Sequence, residues 1–246
     1  MGALVGMTGV GGGSLMTPLL VLLFGFHPAT AVGTDLLYAS VTKTAGTVVH
    51  GKRETVDWKI VAGLACGSIP TALITLFVMS QVGTLDRHAA GVLNLLLGCA
   101  LLLTGISIFF RPWILRWAGP RFEDVTTNNI SRWTIVIGAM LGILVSVTSV
   151  GAGALGTTAL LILYPKLPVA RIAGSDIAHA VPLTLIAGLG HWWLGSVDIK
   201  LMLALLIGSI PGVVVGSMLA TRASDSVLRP VLAGSLLIVS VKLLFA

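Results

Sequence analysis

The chain writes one pattern twice, about 140 residues apart. Val10-Gly11 and Gly13 recur as Val150-Gly151 and Gly153, at an offset of 140. A one-residue insertion follows, and Gly33-Thr34-Asp35 recurs as Gly174-Ser175-Asp176, at an offset of 141. At that offset His50 meets His191, Val56-Asp57 meets Val197-Asp198, and Lys59 meets Lys200. Gly67-Ser68-Ile69-Pro70 then recurs intact as Gly208-Ser209-Ile210-Pro211. Four motifs in order with one gap define two structurally equivalent halves.

What each half can be follows from its polarity. Hydrophobic residues make up 56% of the 246 residues and charged residues 10%, with a mean hydropathy of +1.02. A soluble domain carries about 25% charged residues, so a water-soluble enzyme with one core is excluded. Apolar stretches of span length lie at 30–50, 58–80, 88–110, 133–149 (marginally), 169–191, 198–221 and 226–245. The stretches 14–25 and 153–164 are too short, since 12 residues rise only about 18 Å. Each follows a glycine-rich break, Gly9 to Gly13 or Ser149 to Gly153. The long polar stretch 111–131 separates a first repeat, 1–110, from a second, 132–246, within a single membrane domain.

A straight helix through 133–164 would be about 48 Å long, well beyond a hydrocarbon core of about 30 Å. A re-entrant hairpin is therefore expected at each break. The expected fold is an all-α polytopic membrane protein of two inverted repeats, each a glycine-broken re-entrant hairpin plus three spanning helices. In that arrangement the Lys and Arg residues other than Lys43, which lies within a segment, divide 11 to 3 between the two sides, against 9 to 5 if every segment spans. The basic side, with loop 111–131, is expected in the cytoplasm and both termini outside. The first half has few residues before its break, so the native N-terminus is expected to extend upstream of Met1. The chain opens without a basic n-region, and a cleavable signal is not expected. The net charge of +6 is read as loop charge in a bilayer and not as a nucleic-acid surface. Cys66 and Cys99, inside apolar segments and without CxxC spacing, are read as small packing residues.

Three sets of residues can carry chemistry. A helix that starts within the membrane presents unpaired N–H groups and its positive dipole end, which suits an anion. Such starts are expected near Ser14 and Ala154. The candidate substrate-binding residues are Gly11, Gly12, Gly13, Ser14, Gly151, Gly153 and Ala154. Pro70 and Pro211 each free a carbonyl in mid-helix, which brings Ser68 and Ser209 into the same set; a kink for packing explains them equally. Charges within a span mark a pathway. Asp35, Asp176 and His179 are candidates for proton coupling. The two aspartates are also readable as caps of backbone amides or as cation ligands. Lys43 reads either as an anion-binding cation or as a snorkelling side chain. The repeat is broken where Lys43 meets Thr184 and where Tyr38 meets His179, so a directional role belongs there. His50 and His191, near segment ends, read as interface anchors; Trp58, Trp192 and Trp193 read as an aromatic belt. Asp57 and Asp198 stand at helix N-cap positions. No nucleophile, metal-ligand or phosphate-loop motif is present, so no enzyme activity, cofactor or metal site is expected.

These residues also carry a resemblance. Gly11-Gly12-Gly13 with Leu15 and Pro18, then Ala31, Gly33-Thr34, His50, Val56-Asp57-Trp58 and Gly67-Ser68 resemble the TauE/SafE family of sulfite and organosulfonate exporters. The second half echoes the pattern through Gly208-Ser209-Ile210-Pro211 and Gly216 and departs from it with Thr158 in place of Pro18. The resemblance implies movement of a small anion, such as sulfite, sulfoacetate or a related sulfonate, across the bacterial inner membrane. Together with the paired helix starts it leads to a secondary transporter with alternating access at a midplane site. A passive anion channel, or a cation transporter using Asp35, Asp176 and His179, are the alternatives. The expected partners are the small anion and the bilayer; a homodimer is compatible with this reading.

Overall fold

A computed structural model of the chain describes residues 13–52, 54–82, 87–122, 127–220 and 225–245. Ten helices follow in order: α1 (Gly13–Phe24), α2 (Pro28–Lys52), α3 (Trp58–Val82), α4 (Arg87–Phe109), α5 (Arg111–Phe122), α6 (Thr127–Thr148), α7 (Ala154–Leu163), α8 (Val169–Trp193), α9 (Ile199–Ala220) and α10 (Asp225–Leu244). The described residues are helical throughout apart from short connections, as a chain that must satisfy its own backbone in lipid requires.

The repeat is a structural repeat. α2 and α8 each have 25 residues and start 141 positions apart. Both end in the same turn. The Thr55 N–H donates to His50 O at 3.1 Å, and the Ser196 N–H donates to His191 O at 2.9 Å. One residue earlier, Glu54 (φ +53°) and Gly195 (φ +73°) take the left-handed conformation that closes a helix end. Asp57 and Asp198 then cap the next helices, accepting from the Lys59 and Leu201 amides at 3.1 and 2.9 Å, as their positions predict.

Among the described residues, four stretches are long and apolar enough to cross a membrane: Trp58–Val82, Ala90–Phe109, Asn129–Thr148 and Val169–Trp193. The expected span 30–50 is α2, which has the length but not the apolarity. Every residue from Ala31 to Ser40 is instead buried by neighbouring helices. α6 starts at Thr127, six residues before the stretch expected from hydropathy, and so reaches span length by itself. Within 111–131 the described residues are helical rather than a loop: α5 takes Arg111–Phe122 and α6 begins at Thr127. α5 is held by Leu115, which packs against the cluster of Ile60, Leu64, Leu160, Leu161 and Ile172.

The halves interlock through small residues. A Cβ on Gly67 of α3 would meet the Ile135 carbonyl and the Ala139 amide of α6; one on Gly138 would meet the Leu64 carbonyl. α4 and α10 close on Gly98 and Gly105, and Ser240 Oγ donates to Gly98 O at 2.8 Å. Gly33 and Gly174 are the matched case at the α2–α8 crossing. A Cβ on Gly33 would meet Ser196 O and His191 Cβ; one on Gly174 would meet Thr55 O and His50 Nδ1. Each half's helix thus rests on the other half's turn, the close backbone approach that small residues allow between membrane helices. Cys66 and Cys99 are exposed on apolar helix surfaces rather than packed inside, because hydropathy does not say which face of a membrane helix meets lipid.

Candidate functional site

The site forms where the second-half break lies on the α2–α8 crossing. α6 ends at Thr148. Ser149 (φ +58°), Gly151 (φ +117°) and Gly153 (φ +131°) then turn the chain before α7 begins at Ala154. Two of these three positions are glycine because that conformation is costly with a Cβ. Ala152 packs among Val32, Leu36, Ala180 and Leu183, which fixes the break against α2 and α8. Gly153 caps α7 without a side-chain bond. The first turn's bonds run from Gly156 N–H to Gly151 O and from Thr157 N–H to Gly153 O, both at 3.1 Å. The Ala154 and Leu155 amides are left without an acceptor among the described residues.

Lys43 reaches this break. Its Nζ donates to Ala152 O at 2.9 Å, across 109 residues of sequence. The ammonium therefore points into protein rather than snorkelling outward, and its charge acts on both Asp35 and Asp176.

The aspartates are wholly buried. Asp35 Oδ2 accepts from Thr17 Oγ1 at 2.6 Å and from Ser149 Oγ at 2.9 Å. Asp176 Oδ2 accepts from Thr157 Oγ1 at 2.9 Å. Thr17 and Thr157 are repeat equivalents, so the own-half hydroxyl is a shared feature and the Ser149 hydroxyl is an addition. The Oδ1 atoms of both aspartates are buried without a hydrogen-bond partner among the described residues. A Cβ on Gly156 would meet Asp176 Oδ1, so a bare helix surface is what admits that carboxylate.

One turn further along α8, the buried His179 places Nε2 2.8 Å from Ser68 Oγ, and its Nδ1 has no partner. Ser68, expected on the strength of Pro70, thus joins the site through His179. Tyr38 stands at the equivalent position of α2, with its hydroxyl toward Ser209 but outside hydrogen-bond geometry. Ser209 itself donates to Leu206 O at 3.3 Å.

The expected residues therefore divide. Lys43, Asp35, Asp176, His179, Ser68, Gly151, Gly153 and Ala154 come together around the second-half break. Gly13 opens α1. Gly11, Gly12 and the side chain of Ser14 lie outside the described residues. His191 is not an interface anchor: it is fully buried, with Nε2 2.8 Å from Ser146 O near the end of α6. The crossing of α2 over α8 covers it, which its distance from the helix end could not reveal. His50 braces its turn through Thr55 Oγ1 at 2.8 Å. Thr17, Thr157 and Ser149 are site residues that polarity alone does not single out, although the offset of 140 pairs the two threonines. Among the described residues, no three His, Cys, Asp or Glu side chains gather as a metal site.

Apolar helices of span length around a buried, charged crossing define a multi-pass membrane protein. The chain belongs to the sulfite exporter TauE/SafE family of membrane transporters, whose pattern matches residues 1–243. It is 40% identical to "Probable membrane transporter protein YjnA" of Bacillus subtilis over 245 residues, 99% of this chain and 96% of that one. It is 28% identical to "Probable membrane transporter protein YdhB" of the same organism, over 97% of this chain and 96% of the relative. Over 88 residues, 36% of this chain and 33% of the relative, it is 30% identical to "Probable sulfite/organosulfonate exporter TauE" of Cupriavidus necator. No solved structure matches.

Proposed function

We propose that this chain is a secondary transporter, working as an exporter, for a small oxyanion such as sulfite or a short organosulfonate, with proton coupling. The observation that carries the reading is the Lys43 ammonium, 2.9 Å from a backbone carbonyl of the glycine break. It lies beside helix-start amides that have no acceptor of their own. A cation and oriented N–H groups in a protected site are the elements that bind an oxyanion. The family description and the name of the C. necator relative support the substrate class. A helix break at 149–153, set where α2 crosses α8, supports alternating access. The 11 to 3 division of basic residues supports inverted repeats, a re-entrant hairpin at the break and a cytoplasmic 111–131 segment in the inner membrane.

Binding is tested by thermal stability of the purified protein against sulfite, ethanesulfonate, chloride and acetate at one ionic strength. A ligand of the folded form raises the melting temperature by mass action. Sulfite or ethanesulfonate is expected to stabilise the wild type and not Lys43→Met. Stabilisation by chloride to the same degree points to an anion channel, which voltage-driven flux without a pH gradient establishes. The bare Asp35 and Asp176 oxygens favour one second reading, cation transport; stabilisation by divalent cations alone would establish it. Topology is tested by labelling single cysteines at the repeat equivalents Lys59 and Lys200 from either side of the membrane. Opposite accessibility is expected.

A further inference from the structure

The two buried aspartates are chemically unequal, and the inequality rests on residue types. Asp35 is tied to both halves: Thr17 donates from α1, and Ser149 donates from the break of the other half. Both bonds fall on one oxygen and hold the break against α2. Asp176 has the matching Thr157 bond. Among the described residues it has no second bond of that kind, and the repeat places Gly9, which has no hydroxyl, where the second half has Ser149. One turn beyond Asp176 is His179, an imidazole held by Ser68 and buried with Nδ1 free. One turn beyond Asp35 is Tyr38, a phenol that stays protonated across the physiological range. A buried carboxylate one helical turn from a buried imidazole therefore occurs at Asp176 and not at Asp35.

We propose that Asp176, with His179, is the proton-handling pair of the transport cycle, and that Asp35 is a latch that positions the anion-binding break. The proposal rests on the proton-coupled reading above and assigns its chemistry to one half. Asp176 takes up one proton as the anion binds and releases it with the anion on the other side, so export of the pair runs down the anion's own gradient and against the proton's. His179, positioned by Ser68, relays that proton. The charged groups facing the pair come from α2: Lys43, whose charge acts on Asp176 and His179, and beyond it Asp35. α3 and α7 face it with the hydroxyls of Ser68 and Thr157. α6 brings no titratable side chain to it among the described residues. A lysine and a carboxylate together are neutral, so an added anion is buried at least cost when a second carboxylate carries a proton.

The experiment uses the full chain in proteoliposomes, with labelled sulfite and labelled ethanesulfonate as probes. Two fluxes are compared at clamped voltage: net uptake driven by a pH gradient, and anion–anion exchange at equal pH, which moves no net proton. Asp176→Asn is expected to lose gradient-driven uptake at least tenfold while keeping exchange within about threefold. Asp35→Asn and Ser149→Ala are expected to lower both fluxes together and to lower the melting temperature, leaving their ratio unchanged. His179→Asn is expected to shift the pH profile of gradient-driven uptake, and Ser68→Ala to shift it less; a merely structural role would lower both fluxes without moving the profile. Should Asp176→Asn fail to fold, proton uptake by the wild type on adding ethanesulfonate, which has no proton to exchange near neutrality, is read with a pH dye and compared with His179→Asn. One proton per anion is expected, reduced in the variant. Uncoupling by Asp35→Asn with coupling intact in Asp176→Asn overturns the assignment, as does uncoupling by both. Exchange without gradient-driven uptake in the wild type overturns it while leaving the anion reading standing. No flux of either probe overturns both.

Discussion

Asp35 and Asp176 occupy matching positions in two 25-residue helices, yet one is held by two hydroxyls and the other by one among the described residues. The same contrast runs through the molecule. The lengths of α2 and α8, their terminal turns, the N-caps that follow them and the glycine contacts at their crossing are duplicated. Two side chains around the crossing are not: Lys43 faces the break where the other half has Thr184, and His179 replaces Tyr38. Duplication is strictest where the backbones approach most closely, because a carbonyl against a glycine leaves no freedom. It lapses where side chains project into the shared interior, because only one set of groups is needed there. A duplicated scaffold thus carries side chains that are not all duplicated.

The comparison breaks most severely at the crossing glycines. Gly33→Val and Gly174→Val would each drive a branched side chain into the other half's turn. Overpacking of this kind costs about 1–3 kcal/mol or more. Both are expected to abolish the monodisperse folded species in size-exclusion chromatography, and to do so equally. Survival of one alone would show that the crossing is less symmetric than the contacts indicate.

The aspartate contrast gives the next largest effect. Asp35→Ala strands two buried hydroxyls, Asp176→Ala one. An unsatisfied buried group costs about 1–3 kcal/mol, so thermal denaturation should rank Asp35→Ala as the less stable variant. The reverse order would make Asp176 the structural residue.

A matched pair follows. The Ser175 hydroxyl accepts the Asp57 amide at 2.8 Å, and the Thr34 hydroxyl accepts the Asp198 amide at 3.0 Å. Ser175→Ala and Thr34→Val should each cost about 1 kcal/mol, equally within error and additively in the double variant. Glu54 offers the opposite sign. It holds a left-handed conformation where the second half has Gly195, so Glu54→Gly should stabilise the protein by up to about 1 kcal/mol, and Gly195→Glu should destabilise it by a similar amount. The smallest effect belongs to Arg171, whose Nε lies 3.8 Å from Asp57 on a half-exposed surface. Thr30 occupies the equivalent position in the first half, so the ion pair is unduplicated. Arg171→Gln should change stability by less than about 1 kcal/mol, less still at high salt.

The amino-acid sequence by itself determined the class, the helical content, the two halves, the N-caps Asp57 and Asp198, and the glycine break at 149–153. These follow from local rules: hydropathy over a span, side-chain capping, the conformations open to glycine, and the repeat. It also indicated Asp35, Asp176 and His179, since a charge in an apolar helix needs a reason. Tertiary structure alone decided what those charges meet. That Lys43 bonds Ala152 across 109 residues, that Ser149 serves Asp35, that Ser68 serves His179 and that His191 is buried all depend on how α2, α3, α6 and α8 cross. The polarity of 111–131 suggested a loop, because the packing of Leu115 on α7 is a contact between elements. Helix periodicity fixes which residues share a face; only the crossing of helices, set by where glycines let backbones touch, fixes which faces meet.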